Sequence, residues 1–111
     1  MVVQIVQFQL DGIDPQAYEA RVARIAPEFA QLPGLIAKAW LADRETDTYG
    51  GVYLWTDRAA AEAYADGELL EAARQNPAFA NFRSSILDTL DGPTSLTSPG
   101  LAALSSAEAP A

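Results

Sequence analysis

The chain has 111 residues, 50% of them hydrophobic and 20% charged, a composition that fits one globular domain and is too short for two. Fifteen acidic against seven basic residues leave a formal charge of -8, so phosphate backbones and anionic lipid surfaces are repelled; neither a nucleic-acid nor a membrane partner is expected. With no Cys and no His, disulfides, thiol nucleophiles, imidazole bases, Ser-His-Asp triads and nearly every zinc, copper or haem ligand set are excluded.

Residues 2–10 are rich in Val, Ile and Phe and are followed by Gly12, which predicts a strand closed by a turn. The segment begins without basic residues and carries Gln4, Gln7 and Gln9, so it does not fit a signal peptide. No apolar run reaches the roughly 18 residues that span a bilayer and no lipidation signal is visible, so a cytoplasmic location is expected. Asp14 followed by Pro15 marks a helix start, with an acceptor for the free amides and a proline where its missing donor costs nothing. Tyr18, Val22, Ile25, Phe29 and Leu32 then recur at helical spacing and define a core stripe. Pro27 predicts a kink or break between Ala23 and Pro27, and Pro33 with Gly34 ends the helix.

Residues 35–43 and 49–56 read as strands joined through the polar stretch RETDT in a hairpin. Placing Ala42 opposite Gly51 puts Lys38, Trp40, Tyr53 and Trp55 on one face and Ala37, Ala39, Leu41, Val52 and Leu54 on the other. Asp57 caps a helix through RAAAEAYAD, Gly67 stops it, and ELLEAARQ makes a further short helix before Asn76 and Pro77. Residues 82–90 supply the last strand. The order predicts an α+β, ferredoxin-like βαββαβ domain over residues 1–91, with a four-stranded antiparallel sheet in the order 4-1-3-2 and both helices on one face. From residue 92 to 111, Ser, Ala, Pro and Gly dominate, which predicts a tail that is partly disordered or docks as an arm through Leu96, Leu101 and Leu104.

A sheet with one wet face should alternate apolar with polar, yet the third strand reads Tyr49, Gly50, Gly51, Val52, Tyr53, Leu54, Trp55 without a charge. Only Lys38 interrupts the second strand. Both faces therefore call for burial, and the expectation is that Trp and Tyr side chains lie on the face without helices and pair across a homodimer.

The segment LPGLIAKAWLADRETDTYGGVYLWTDRAAAEAYAD resembles the YdhR-like mono-oxygenases of the dimeric α+β barrel superfamily, relatives of the antibiotic-biosynthesis mono-oxygenases. The similarity rests on Pro33-Gly34 before a strand, Lys38 with Trp40, the pair Gly50-Gly51, Tyr53, Thr56-Asp57 and Ala63-Tyr64, and extends loosely from residue 3 to about 97. It implies a ferredoxin-like fold, two sheets closing a barrel between subunits, and cofactor-independent oxidation of an aromatic or polyketide-like substrate by dioxygen. Haem-degrading relatives use a His that this chain lacks. No cofactor and no metal site are expected.

For such chemistry Trp40, Tyr53, Trp55, Tyr64 and Phe29 offer flat walls for a hydrophobic small molecule. Arg83 or Lys38 offers a charge for a substrate anion, and Asp88 or a perturbed tyrosine a base. The same residues also serve as packing: the aromatics as core or interface, Lys38 as an aliphatic stem with a wet amine, Arg83 and Asp88 as guards of an edge strand. Asp43, Glu45 and Asp47 have the alternate spacing of a calcium loop, but Thr48 and Leu54 stand where Gly and Glu are needed. Gly50-Gly51 lies inside a strand and lacks the Lys-Ser or Lys-Thr of a phosphate loop, so it predicts close approach of a neighbour or a bulge. The alternative to an oxygenase is a non-catalytic dimer that binds a hydrophobic small molecule or serves as an accessory subunit.

Overall fold

Alternation in the first ten residues produces strand β1 (Val2–Leu10), with Val2, Gln4, Val6 and Phe8 buried and Val3, Ile5 and Gln7 partly open on the other side. The computed structural model describes residues 1–100. After β1 come α1 (Pro15–Phe29), β2 (Leu35–Asp43), β3 (Thr48–Trp55), α2 (Arg58–Ala65), α3 (Glu68–Gln75), β4 (Phe79–Asp88) and α4 (Asp91–Thr97). The four strands form one antiparallel sheet in the order β2-β3-β1-β4, the ferredoxin-like arrangement expected from the element order. Tyr18 and Phe29 of α1, Ala61 and Tyr64 of α2 and Leu70 of α3 pack against Val2, Val6, Phe8, Tyr49, Tyr53 and Trp55 of the sheet to make the core. Among the described residues no helix is long and apolar enough to cross a membrane.

The helices start as their residues dictate. Pro15 occupies the first turn of α1; Asp14 precedes it in extended conformation, but its backbone carbonyl, not its carboxylate, accepts the Tyr18 amide. The Asp57 carboxylate does cap α2, accepting the Ala60 N–H at 2.8 Å. The break expected at Pro27 does not occur: α1 runs through it to Phe29. Pro27 lies in the last turn, so a single bond to the exposed Ala23 is lost, and water can satisfy that carbonyl. The helix ends earlier than Pro33; Gly34, at a φ of 80°, then brings the chain so close to α2 that a Cβ would meet the Ala60 Cβ at 2.6 Å.

Four further expectations change. The hairpin closes on the pair Asp43–Thr48, so Ala42 faces Tyr49 and Trp40 faces Gly51, two residues tighter than predicted. A shift of two keeps each residue on its face, so the two predicted sets survive. Their assignment reverses: Tyr53 and Trp55 face the helices, at 3% and 0% exposure, and are not on the open side. Large rings fill the space between sheet and helices, while the uncovered side carries the smaller Val3, Ile5, Ala37, Ala39, Leu41, Val52 and Leu54. Strand β4 begins at Phe79 rather than at Phe82 because a bulge, with Asn81 at a φ of 54°, breaks the register opposite Phe8. Both Phe79 and Phe82 then stack on Phe8, at 4.3 and 6.1 Å between ring centroids. In the segment expected as a tail, residues 91–97 form α4, and the Met1 ammonium reaches Asp91 at 3.2 Å. Leu96 remains 85% exposed; Leu101 and Leu104 lie outside the described residues.

Candidate functional site

Edge strand β2 and its neighbour β3 turn Lys38, Trp40, Gly51 and Tyr53 toward the helices. Gly51 leaves a gap there: a Cβ would sit 2.7 Å from the Lys38 Cε and 3.3 Å from the Tyr53 ring. The lysine stem lies over that gap, and its Nζ stands 3.2 Å from the ring centre of Trp40, 3.6 Å from that of Phe29 and 4.4 Å from that of Tyr53. Among the described residues Lys38 makes no ion pair, and its amine has no hydrogen-bond partner. Burial without a compensating carboxylate lowers its pKa from 10.5 to about 7. Lys38 is also the sole lysine of the chain.

Behind the amine stands a pair of phenols. The Tyr53 and Tyr64 hydroxyls share a hydrogen bond of 2.7 Å that joins β3 to α2. Burial drives the Tyr53 pKa far above the ordinary tyrosine range, and the neighbouring Tyr64 adds to it. Burial also raises Tyr64 to about 12, against the hydrogen bond from Tyr53. Tyr18 rises to about 12 through burial, with Arg21 opposing and Tyr49 assisting. These phenols are therefore neutral at physiological pH, not bases. The Tyr49 hydroxyl is buried without a hydrogen-bond partner among the described residues.

Two cavities meet at Phe29. One, of about 180 Å³, lies under α1 and α3 and is lined by Val6, Phe8, Tyr18, Phe29, Tyr53, Tyr64, Leu70 and Phe79, with Arg21 and Glu28 among its outer residues. A dry cavity of roughly 150 Å³ suffices for a benzene ring. The other, of about 290 Å³, lies between the end of α1 and β2 and is lined by Ala26, Phe29, Ala30, Leu35, Lys38 and Trp40. A third, of about 530 Å³, lies between Pro33-Gly34 and helices α2 and α3, with Trp55 and Tyr64 in its wall. Among the described residues no three His, Cys, Asp or Glu side chains converge as a metal site would require.

The fold brings together Phe29, Lys38, Trp40, Tyr53, Trp55 and Tyr64 of the residues singled out from the sequence. Within this cluster Trp55 is a fixed wall: it is fully buried, and its indole N–H donates to the Gln4 side-chain carbonyl at 3.0 Å. Arg83 stands apart, exposed on the open side of the sheet opposite Gln7. Asp88 is exposed as well and pairs with Arg58 at 3.0 Å, so it is no base for these cavities. Sequence reasoning passed over Tyr18, Tyr49, Phe79 and Gln4. Tyr18 carried a signal, heading the apolar stripe of α1; Gln4 was detectable as the one polar residue at an inward position of β1.

The profile of the family described as “Putative mono-oxygenase ydhR” matches residues 3–99. SnoaB, a cofactor-independent oxygenase from Streptomyces nogalater, is similar at 28% identity over 79% of this chain and 91% of that chain, with a TM-score of 0.60. The haem-degrader MhuD from Mycobacterium tuberculosis shares 21% identity over 81% of this chain and 96% of its own, with a TM-score of 0.64. NE2512 from Nitrosomonas europaea, a protein of unknown function, shares 18% over 80% of this chain and 88% of its own, with a TM-score of 0.66. At those identities the last two show the fold alone. No curated protein matches significantly.

Proposed function

The chain belongs to the family named putative mono-oxygenase ydhR, and on that footing we propose that it is a cofactor-independent mono-oxygenase for a small hydrophobic aromatic or polyketide-like substrate. The observation that carries this is the meeting of two aromatic-walled cavities at Phe29, beside a half-buried amine and a pair of neutral phenols. In such a reaction the substrate is its own electron source. A proton leaves an activated carbon or phenol, the carbanion or phenolate passes an electron to dioxygen, and oxygen adds to the ring. A CH₂ group and one O₂ become a carbonyl and one water. The protein has to position the ring, hold the anion and keep water away. Phe29, Trp40 and Tyr53 fit the first task as ring walls, Lys38 the second as the cation nearest them, and the apolar lining of the cavity under α1 and α3 the third. SnoaB, described as a cofactor-independent oxygenase, supports the chemistry through its similarity.

The working unit in this proposal is a homodimer. The side of the sheet without helices presents Val3, Ile5, Ala37, Ala39, Leu41, Val52 and the half-exposed Leu87, an aliphatic surface suited to an identical surface across a twofold axis.

Oxygen uptake with a panel of hydroquinones and anthrones tests the activity. Wild type should exceed the uncatalysed rate, and Trp40→Ala, which removes a wall beside Lys38, should lower kcat/KM by about tenfold or more. Wild-type uptake no faster than background across the panel, with the compounds still bound, would leave a small-molecule-binding protein instead.

A further inference from the structure

An oxygenase of this kind needs a group that takes the substrate's proton. The tyrosines of the site are held neutral by burial, Asp88 is exposed and paired with Arg58, and Arg83 is on the other side of the sheet. What remains at the cavities is a single amine with an unusual setting. The Lys38 stem crosses the gap at Gly51, its Nζ is ringed by Trp40, Phe29 and Tyr53, and it lines the cavity of about 290 Å³ at the edge of β2. We propose that the Lys38 amine is the proton acceptor of this site: it takes the hydroxyl proton of a phenol bound in that cavity and holds the phenolate beside it as an ion pair. The O–H bond breaks, an N–H bond forms, and charge is conserved in the exchange of phenol and amine for phenolate and ammonium. For its substrate class the proposal rests on the oxygenase reading.

Three features favour the assignment. Desolvation brings the amine to about 7, where an appreciable share is unprotonated at neutral pH, the condition a base requires. No carboxylate competes for the ammonium among the described residues, so a phenolate would be its first anionic partner. The groups facing the amine are the Trp40 ring from β2, the Phe29 ring from α1 and the Tyr53 ring from β3. Of these only Tyr53 titrates, and its hydroxyl is bonded to Tyr64 of α2. Ring faces also stabilise the ammonium once it forms.

The test uses para-nitrophenol, whose phenolate is coloured and which the protein has no means of oxidising through an activated carbon, so that proton transfer and turnover are read separately. Bound at about pH 7, the probe should show a phenolate share several-fold larger with wild type than with Lys38→Met. Because the chain has one lysine, isotope-labelled lysine gives one Cε resonance in the wild-type protein, and its titration midpoint should fall near 7. Identical bound spectra for the two proteins would overturn the proposal, as would failure of wild type to bind the probe or a Cε midpoint near the ordinary 10.5. Phenolate formation without oxygen uptake on any hydroquinone would uphold the role of Lys38 and refute the oxygenase.

Discussion

Replacing Lys38 by Met turns the unpartnered amine into a measurement of its own cost. The pKa of this lysine in the folded chain, about 7, lies below the ordinary 10.5. Between those values the unfolded chain therefore holds more protons than the folded one, and stability rises with pH through that window. Below about pH 7 the amine is charged in both states, so the folded form carries the whole penalty. At about 1.4 kcal/mol per pH unit the interval corresponds to roughly 5 kcal/mol for a wholly dry amine. Lys38 is only partly buried, and three ring faces return up to about 2 kcal/mol, so roughly 2 kcal/mol is the expected net cost. Met preserves the stem and removes the charge, so the variant should be more stable than wild type at pH 7 by about that amount, or about 10 °C in Tm. The difference should shrink by pH 9.5. Above about pH 10 both proteins should lose stability, because Tyr18, Tyr53 and Tyr64 have raised values in the fold and their unfolded counterparts ionise first. Urea unfolding of both proteins from pH 6 to 11 gives the curves. A wild-type curve that is flat from pH 7 to 9.5, or parallel to that of the variant, would refute the desolvated amine.

Tyr49→Phe should stabilise the protein by about 1 kcal/mol, because its buried hydroxyl has no partner to lose; a fall in Tm would show that the oxygen is satisfied after all. If the aliphatic side of the sheet is the dimer contact, wild type should sediment near twice 11.8 kDa and Val52→Asp near the single value, with an unchanged far-ultraviolet spectrum. A single-chain mass for wild type at micromolar concentration would remove the dimer from the proposal.

Much of the architecture was readable because several boundaries had a local chemical cause. Pro15, Asp57 and Gly67 start or stop helices through backbone geometry and capping, which act within one turn. Two strands with period-two sequences were equally plain. Orientation was not, since alternation separates Trp40, Tyr53 and Trp55 from Val52 and Leu54 without saying which set the helices cover. Only long-range packing of Tyr18, Phe29 and Tyr64 decides it. The bulge at Asn81 escaped for a related reason: its left-handed backbone is repaid by stacking on Phe8, a residue more than seventy positions away. At the candidate site, the aromatic members and Lys38 were visible as residue types out of place on a strand or helix. The amine's isolation was not, because the absence of a nearby carboxylate is a property of the assembled cluster.

Pro27 removes one of the last backbone restraints of α1, and Phe29, two residues on, is the ring that lines both the cavity of about 180 Å³ and that of about 290 Å³. The ring shared by the two chambers thus sits on a turn that lacks one backbone bond, while each strand of the sheet behind it pairs with at least one neighbour. A fused polycycle too long for either compartment would need one phenyl group to swing aside and would leave the sheet undisturbed. For the proposed substrate class, the upper limit on ligand length would then be set by a side chain rather than by the scaffold.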